Sequence, residues 1–353
     1  MKKIPTTVIT GFLGSGKTTL IRHMLENAGG RRIALIINEF GDLGVDRDIV
    51  QGCGIEGCED DDVVELANGC ICCTVADDFL PVMEALVERD NPPDHIVIET
   101  SGLALPKPLI RAFNWPEIKT RVTVDGVVSV VDGVALTAGQ FASHEAAIQA
   151  QREADENLDH ADALADLFED QLHAADMVLL NKADALGAGE AERLIADLKT
   201  KLRPGVHVVA TSHAQVGVDV LLGLDAGAED DLDVRQSHHE HDHDDHDDHH
   251  HNHDHTHDHD AFESFVVDVP AQSDPAALEA RLTQLVAGHD ILRIKGFVEV
   301  TGKPARHVVQ GVGTRFTRYF DRPWRVDENR QGRLVIIGKA NLDQAAIAAA
   351  LEL

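Results

Sequence analysis

The chain has 353 residues, enough for two domains, and 43% of them are hydrophobic, enough to bury a core in each. Asp and Glu outnumber Lys and Arg by 61 to 31, a net charge of −30, which excludes a sequence-independent nucleic-acid binder with its cationic footprint. No run approaches the ~18 uninterrupted apolar residues of a membrane span, and Gly11, Gly14 and Lys17 interrupt the apolar stretch after Met1-Lys2-Lys3 before any cleavage site, so the expected location is the cytoplasm.

From Ile4 to about Leu224, short β-branched runs alternate with longer helical patterns. Strands are predicted at Thr6–Thr10, Ile33–Asn38, Val63–Leu66, His95–Glu99, Val127–Val131, Met177–Asn181 and Val206–Thr211, with helices at Lys17–Asn27, Asp77–Arg89, Ala146–His173 and Glu190–Leu202. Continuous apolar strands such as Ile96-Val97-Ile98, alternating with helices, predict an α/β domain over residues 1–225 whose mostly parallel sheet is flanked by helices. Composition changes near Ala226. Ser237–Asp260 holds twelve of the 21 histidines and nine carboxylates with no Lys or Arg. Such a tract has no apolar area to bury, so 226–260 is predicted to be a flexible linker. Beyond it, strands at Phe262–Val269, Ile291–Val300, Arg306–Gly311 and Arg333–Gly338 and a helix at Asp274–Ala287 predict a small α+β domain over 261–353. Asn341 is the expected cap of a last helix running to Leu351.

Three motifs carry the nucleotide chemistry. Gly11-Phe12-Leu13-Gly14-Ser15-Gly16-Lys17-Thr18 matches the phosphate-loop pattern, placed after a strand and opening a helix. There, backbone N–H groups turn inward around phosphates, Lys17 reaches the β and γ oxygens, and the Thr18 hydroxyl ligates Mg²⁺. Asn181-Lys182-Ala183-Asp184 follows a late strand. A carboxylate at Asp184 accepts the guanine N1–H and exocyclic amine, donors that adenine lacks there, so GTP is favoured over ATP. Glu99-Thr100-Ser101-Gly102 ends the strand from His95. Glu99 is placed to hold Mg²⁺, directly or through water, and Gly102 to give its N–H to the γ-phosphate. Asp42 and Glu39, in a segment expected to respond to nucleotide, are further Mg²⁺ candidates; the competing reading is a pair of solvated loop acids. No catalytic Gln or arginine finger is assignable, so slow intrinsic hydrolysis is expected.

All five cysteines lie between Cys53 and Cys73, an odd cluster that does not make a secreted disulfide framework. Gly69-Cys70-Ile71-Cys72-Cys73 places three thiols in four residues, enough to hold one soft or borderline cation if the backbone turns sharply. Buried small hydrophobes and a redox pair are the alternatives. Cys53 and Cys58 add two thiols in a Gly-rich loop, as ligands or as plain loop residues.

Together these residues resemble the CobW family, a branch of the SIMIBI-class P-loop GTPases that serve metal-centre assembly. The resemblance rests on Thr10-Gly11-Phe12-Leu13-Gly14, Asn38-Glu39-Phe40-Gly41, Asn68-Gly69-Cys70-Ile71-Cys72-Cys73, Glu99-Thr100-Ser101-Gly102 and Asn181-Lys182-Ala183-Asp184. Arg293-Ile294-Lys295-Gly296-Phe297 and Phe320-Asp321-Arg322-Pro323-Trp324 carry it into the C-terminal domain. It implies GTP contacts at Gly11, Gly14, Ser15, Gly16, Lys17, Thr18, Thr19, Asn181, Lys182 and Asp184, and metal thiolates at Cys70, Cys72 and Cys73. The Cys53/Cys58 insertion and Thr74–Phe79 are similar to the cobalamin-biosynthesis member, which implies a GTP-hydrolysing Co²⁺ chaperone supplying cobaltochelatase. Zinc or nickel cargo, or GTP-regulated metal storage or sensing, are the alternatives. Two departures stand out. Ile37 occupies a position where many relatives carry an acid before Asn-Glu-Phe-Gly, and Ala210-Thr211-Ser212-His213 matches the fifth GTPase motif only loosely. The His/Asp tract is expected to bind several ions weakly as a reservoir, or to be a solvated spacer. The oligomeric state is left open, with a nucleotide- or metal-dependent dimer as one form.

Overall fold

The computed structural model describes residues 3–37, 63–65, 79–142, 148, 164–224, 226–235, 262–325, 330–339 and 342–351. The chain divides into two compact units, Met1–Leu222 with Gly227–His257, and Gly223–Ala226 with Asp258–Leu353. No helix among the described residues is long and apolar enough to cross a membrane.

The first unit alternates strands and helices: β1 Ile4–Thr10, α1 Lys17–Glu26, β2 Ile33–Ile37, β3 Val63–Glu65, α2 Leu80–Val87, β4 His95–Glu99, α3 Pro106–Ala112, β5 Val122–Asp132, α4 Gly133–Thr137, α5 Leu164–Ala174, β6 Met177–Asn181, α6 Glu190–Lys201, β7 His207–Ala210 and α7 Val218–Leu221. The seven strands form a parallel sheet in the order β3-β2-β4-β1-β5-β6-β7. β2, β4 and β6 are buried at every position, as expected for a parallel sheet covered on both faces. One apolar cluster joins Val8, Ile36, Met83, Ile98 and Phe113; the other joins Phe12, Leu103, Phe168, Leu180 and Leu194. After β1 the chain turns to one side, through β2 and β4, and then crosses to β5 on the other side. This reversal lies at β1, and open α/β sheets bind ligands beyond the carboxyl ends of the strands at such a point.

Helix α3 was not among the predicted helices; it carries prolines at Pro106 and Pro108. Pro106 opens the helix, and first-turn N–H groups have no intrahelical partner to lose. The predicted Val127–Val131 strand is longer, Val122–Asp132. Its early half pairs with β1 but has no β6 neighbour until Val128↔Met177. Carboxylates take the place of a strand there: Val124 N donates to Glu229 Oε2 at 2.8 Å and Val127 N to Asp176 Oδ2 at 2.9 Å. Arg235, fully buried, secures this cover through Asp176 Oδ1 at 2.7 Å, Asp231 Oδ1 at 2.8 Å and the Ala174 carbonyl. Burial alone would lower its pKa; Asp176 and Asp231 outweigh that and hold it above the ordinary arginine value.

The second unit contains β8 Phe262–Val269, α8 Pro275–Gly288, β9 Ile291–Val298, β10 Ala305–Val312, β11 Arg315–Pro323, β12 Gly332–Lys339 and α9 Gln344–Leu351. Its antiparallel sheet has the order β11-β10-β9-β12-β8. Leu278, Leu282, Leu285, Ile347 and Leu351 of α8 and α9 pack on Val267, Ile294, Val298, Val309 and Leu334. Asp274 caps α8, accepting from Ala276 N at 2.8 Å. At α9 the expected cap, Asn341, lies outside the described residues; Asp343 accepts from Ala346 N at 2.9 Å, so the helix starts later than predicted. β11, rich in Arg and ended by Pro323, was not predicted as a strand; it is an edge strand, where charge and proline are tolerated.

Candidate functional site

The expected nucleotide residues converge on the carboxyl ends of the parallel strands. β1 delivers Gly11–Gly16, and α1 begins at Lys17. Phe12 anchors the loop in the core, with ring centroids 6.4 Å from Phe141 and 6.2 Å from Phe168. Gly11, Gly14 and Gly16 have φ of 135°, 79° and 110°, which turns the loop tightly back on itself. Lys17 is buried, and its Nζ donates to the Gly11 carbonyl at 2.8 Å and the Phe12 carbonyl at 3.4 Å. The ammonium therefore sits inside the loop before any phosphate is considered. Thr18 is half-buried and Thr19 exposed in the first turn of α1, whose N–H groups present the positive end of the helix dipole. Ser15 Oγ is buried without a hydrogen-bond partner among the described residues.

Asn181 ties the late motif to this loop. Its Nδ2 donates to the Ser15 carbonyl at 2.8 Å, and its Oδ1 accepts from Ala214 N at 2.9 Å. Only glycine fits at 16, since a Cβ there would lie 2.2 Å from Asn181 Nδ2. Ala214 was missed by sequence reasoning, although the loose motif at Ala210–His213 directly precedes it. The structure brings that segment alongside Asn181: Ala183 N donates to the Thr211 carbonyl at 3.1 Å, and His213 and Ala214 adopt left-handed φ of 53° and 52°. Asp184, on a 3₁₀ turn, lies 3.7 Å from His213 Nε2 and remains exposed to solvent. Lys182, with φ of 63°, turns to the buried Asp132 at 2.6 Å, and Asp132 also caps α4. This Lys182–Asp132 pair was not anticipated; it spends the Lys182 charge within the protein.

Glu99 is buried at the end of β4, in register with Ile9 on one side and Ile37 on the other. The next residue is tied to β1, where Thr100 N donates to the Ile9 carbonyl at 2.9 Å. Gly102 presses on the phosphate loop, for a Cβ at this position would lie 2.8 Å from Leu13 N. Mg²⁺ prefers hard oxygen donors. The Thr18 hydroxyl and the Glu99 carboxylate are of that kind and stand at the same end of the sheet, so the donor set fits. Asp42, Glu39, Cys53, Cys58, Cys70, Cys72 and Cys73, and the tract 237–260, lie outside the described residues. Among the described residues no group of three or more His, Cys, Asp or Glu could hold a metal ion.

The chain is similar to known proteins along nearly its whole length. Residues 5–210 match the family model described as "CobW/HypB/UreG, nucleotide-binding domain", and residues 262–353 match "Cobalamin synthesis protein cobW C-terminal domain". A Sinorhizobium protein named "Zinc chaperone CobW" is 52% identical over 99% of this chain and 96% of its own length. A Pseudomonas aeruginosa protein of the same name is 55% identical over 99% of this chain and 90% of its own. Among solved structures, that of the Zn(II)-bound YjiA GTPase from E. coli is 26% identical, with 99% of this chain and 98% of that one covered and a TM-score of 0.44. The chain belongs to the CobW/HypB/UreG family, with a nucleotide-binding P-loop domain followed by a CobW-type C-terminal domain.

Proposed function

We propose that the protein is a GTP-hydrolysing metallochaperone in which Mg·GTP assembles a thiolate site for a divalent cargo ion and hydrolysis loosens it. The observation that carries the nucleotide half is the pinned loop: Lys17 Nζ lies within the turn of Gly11–Gly16, and Asn181 bridges Ser15 to Ala214. In this reading the loop amides and Lys17 hold the β and γ phosphates, Asp184 reads guanine, Thr18 and Glu99 hold Mg²⁺, and the Gly102 N–H meets the γ-phosphate. Bound Mg²⁺ neutralises charge on the β and γ oxygens. Buried Glu99 supplies the carboxylate beside it. Cys70, Cys72 and Cys73 are the cargo ligands, with Cys53 and Cys58 as auxiliary ones, and Asp42 is a further ligand for Mg²⁺. The functional division is a nucleotide domain over 1–225, a linker over 226–260 and a C-terminal domain over 261–353.

For the cargo, the names of the relatives favour zinc, and borderline Zn²⁺ suits a thiolate trio. The second reading is Co²⁺ delivered to cobaltochelatase. It is supported by the likeness of the Cys53/Cys58 insertion and Thr74–Phe79 to the cobalamin-biosynthesis member, and by the family model matched at 262–353. Co²⁺ ranks below Zn²⁺ in affinity for most sites, so ligand type alone would not select it. The deciding experiment titrates Zn²⁺ and Co²⁺ into the full chain with a non-hydrolysable GTP analogue, with GDP and with no nucleotide. At least tenfold tighter binding of one metal with the analogue is expected, a coupling of about 1.4 kcal/mol. Equal affinity in all three states rejects the switch. Metal competition in the analogue state decides between zinc and cobalt.

A further inference from the structure

We propose that Gln171 is a positioning residue that holds the γ-phosphate loop in its working shape; this rests on the GTP reading above. Gln171 lies on α5 and is buried among Leu167, Phe168 and Leu172. Its Nε2 donates to the Gly102 carbonyl at 2.9 Å and to the Ala104 carbonyl at 3.4 Å, across 69 and 67 residues of sequence. An apolar side chain would fill the same space, so the amide is there for the two carbonyls it binds.

Those carbonyls belong to the loop after Glu99. Thr100 N and Oγ1 fasten the loop's start to the Ile9 carbonyl at 2.9 and 3.3 Å, and Ala104 N closes a turn on the Ser101 carbonyl at 3.0 Å. Within that turn Gly102 presses on the phosphate loop, with no room for a Cβ beside Leu13 N. The Gln171 amide, bound to both carbonyls from the helix side, sets the tilt of the Gly102–Leu103 and Ala104–Leu105 peptide planes, and Ala104 N, donating to the Ser101 carbonyl, holds the Ser101–Gly102 plane that carries the Gly102 N–H. A loop fixed at its start by β1, at its crown by the phosphate loop and at its back by Gln171 presents the Gly102 N–H in one direction. GDP has no γ-phosphate, so this direction matters to GTP and not to GDP.

The test uses the full-length protein with two substitutions of similar volume. Gln171→Met keeps the length and removes the donor, and Gln171→Glu sets a carboxylate against two carbonyl oxygens. Affinities for GDP and for a non-hydrolysable GTP analogue are measured with fluorescent nucleotides, along with kcat and KM for hydrolysis. The expected result is about a tenfold loss of analogue affinity and of kcat, the size of one or two buried hydrogen bonds, with GDP affinity within about twofold. Equal changes in GDP and analogue affinity, including loss of both in both variants, overturn the proposal, because a scaffold role then accounts for everything. A wild-type chain that neither prefers GTP over ATP nor hydrolyses it defeats the underlying reading. Wild-type turnover with an unchanged GTP-to-GDP ratio in the variants defeats this inference alone.

Discussion

In the parallel sheet β2, β4 and β6 are buried at every residue, whereas in the antiparallel sheet Val267 lies in the core while its neighbour Val266 is 58% exposed. The charge divides the same way. Residues 262–353 carry 12 Lys and Arg against 11 Asp and Glu, a net +1, while residues 1–261 carry 19 against 50, a net −31. A sheet covered on both faces has only its strand ends free for chemistry, and there the phosphate loop, Glu99 and Asn181 meet. A sheet with one face partly exposed offers area instead. Residues 1–261 carry the acid surplus, so an anionic nucleotide must be held by short-range groups, the loop amides and Lys17, against the net charge of this part of the sequence.

The largest effect expected from this contrast concerns the carboxylate cover on β5. Arg235→Leu leaves half-buried Asp231 without its cation and buried Asp176 with only Arg203, at 3.3 Å. Breaking a buried pair in this way costs about 3–5 kcal/mol. The first unit should melt at a lower denaturant concentration, followed through nucleotide-protected unfolding, while signals from Trp324 in the second unit keep their midpoint. A shift shared by both units would show that they do not unfold separately. Lys17→Ala comes next. Losing charge-assisted hydrogen bonds worth about 1.5–3 kcal/mol should weaken GTP binding by roughly 10- to 150-fold, with the melting point of the second unit unchanged. An affinity within about threefold of wild type would place the nucleotide elsewhere.

The strands of the parallel sheet were legible because burial on both faces writes continuous apolar runs into the chain. The phosphate loop was legible because its glycines answer a backbone requirement that no other residue meets. Pairings between distant side chains were not legible. Nothing near Gln171 announces Gly102, and nothing near Glu229 announces Val124 N, since both are decided by packing after the strands assemble. Lys182 was read as a nucleotide contact because its motif says so, while its 2.6 Å bond to Asp132 depends on where β5 ends relative to β6. β11 was missed for the opposite reason, for an edge strand advertises polarity and proline where an interior strand shows apolar residues.

His307 sharpens the contrast from the side of the antiparallel sheet. It is buried on β10, facing Phe320 and Arg318 of β11 and Val298 of β9, and neither ring nitrogen has a partner among the described residues. Burial first, and then the Arg318 charge, push its pKa below the ordinary histidine value. The unfolded chain therefore takes up a proton before the folded one does. Stability of the second unit should fall as pH drops through about 6.5 and level off only below the folded pKa. In His307→Leu the unfolding midpoint of this unit should lose that dependence between about pH 8 and pH 5.5. An unchanged slope would assign the pH sensitivity to other groups.

The smallest effect tests the field itself. If GTP approaches a domain whose net charge repels it, screening should help association. Raising ionic strength from about 0.01 M to about 0.15 M shortens the screening length from about 30 Å to about 8 Å. The association rate of a fluorescent GTP analogue should then rise by a factor of about two or three, while its dissociation rate, set by contacts inside the screening length, stays nearly constant. A basic nucleotide site gives the reverse, with salt slowing capture. Observing that reverse here would mean that Lys17 and the amino end of α1 outweigh the surplus of acids at long range. The division of labour between local cradle and distant field would then have to be redrawn.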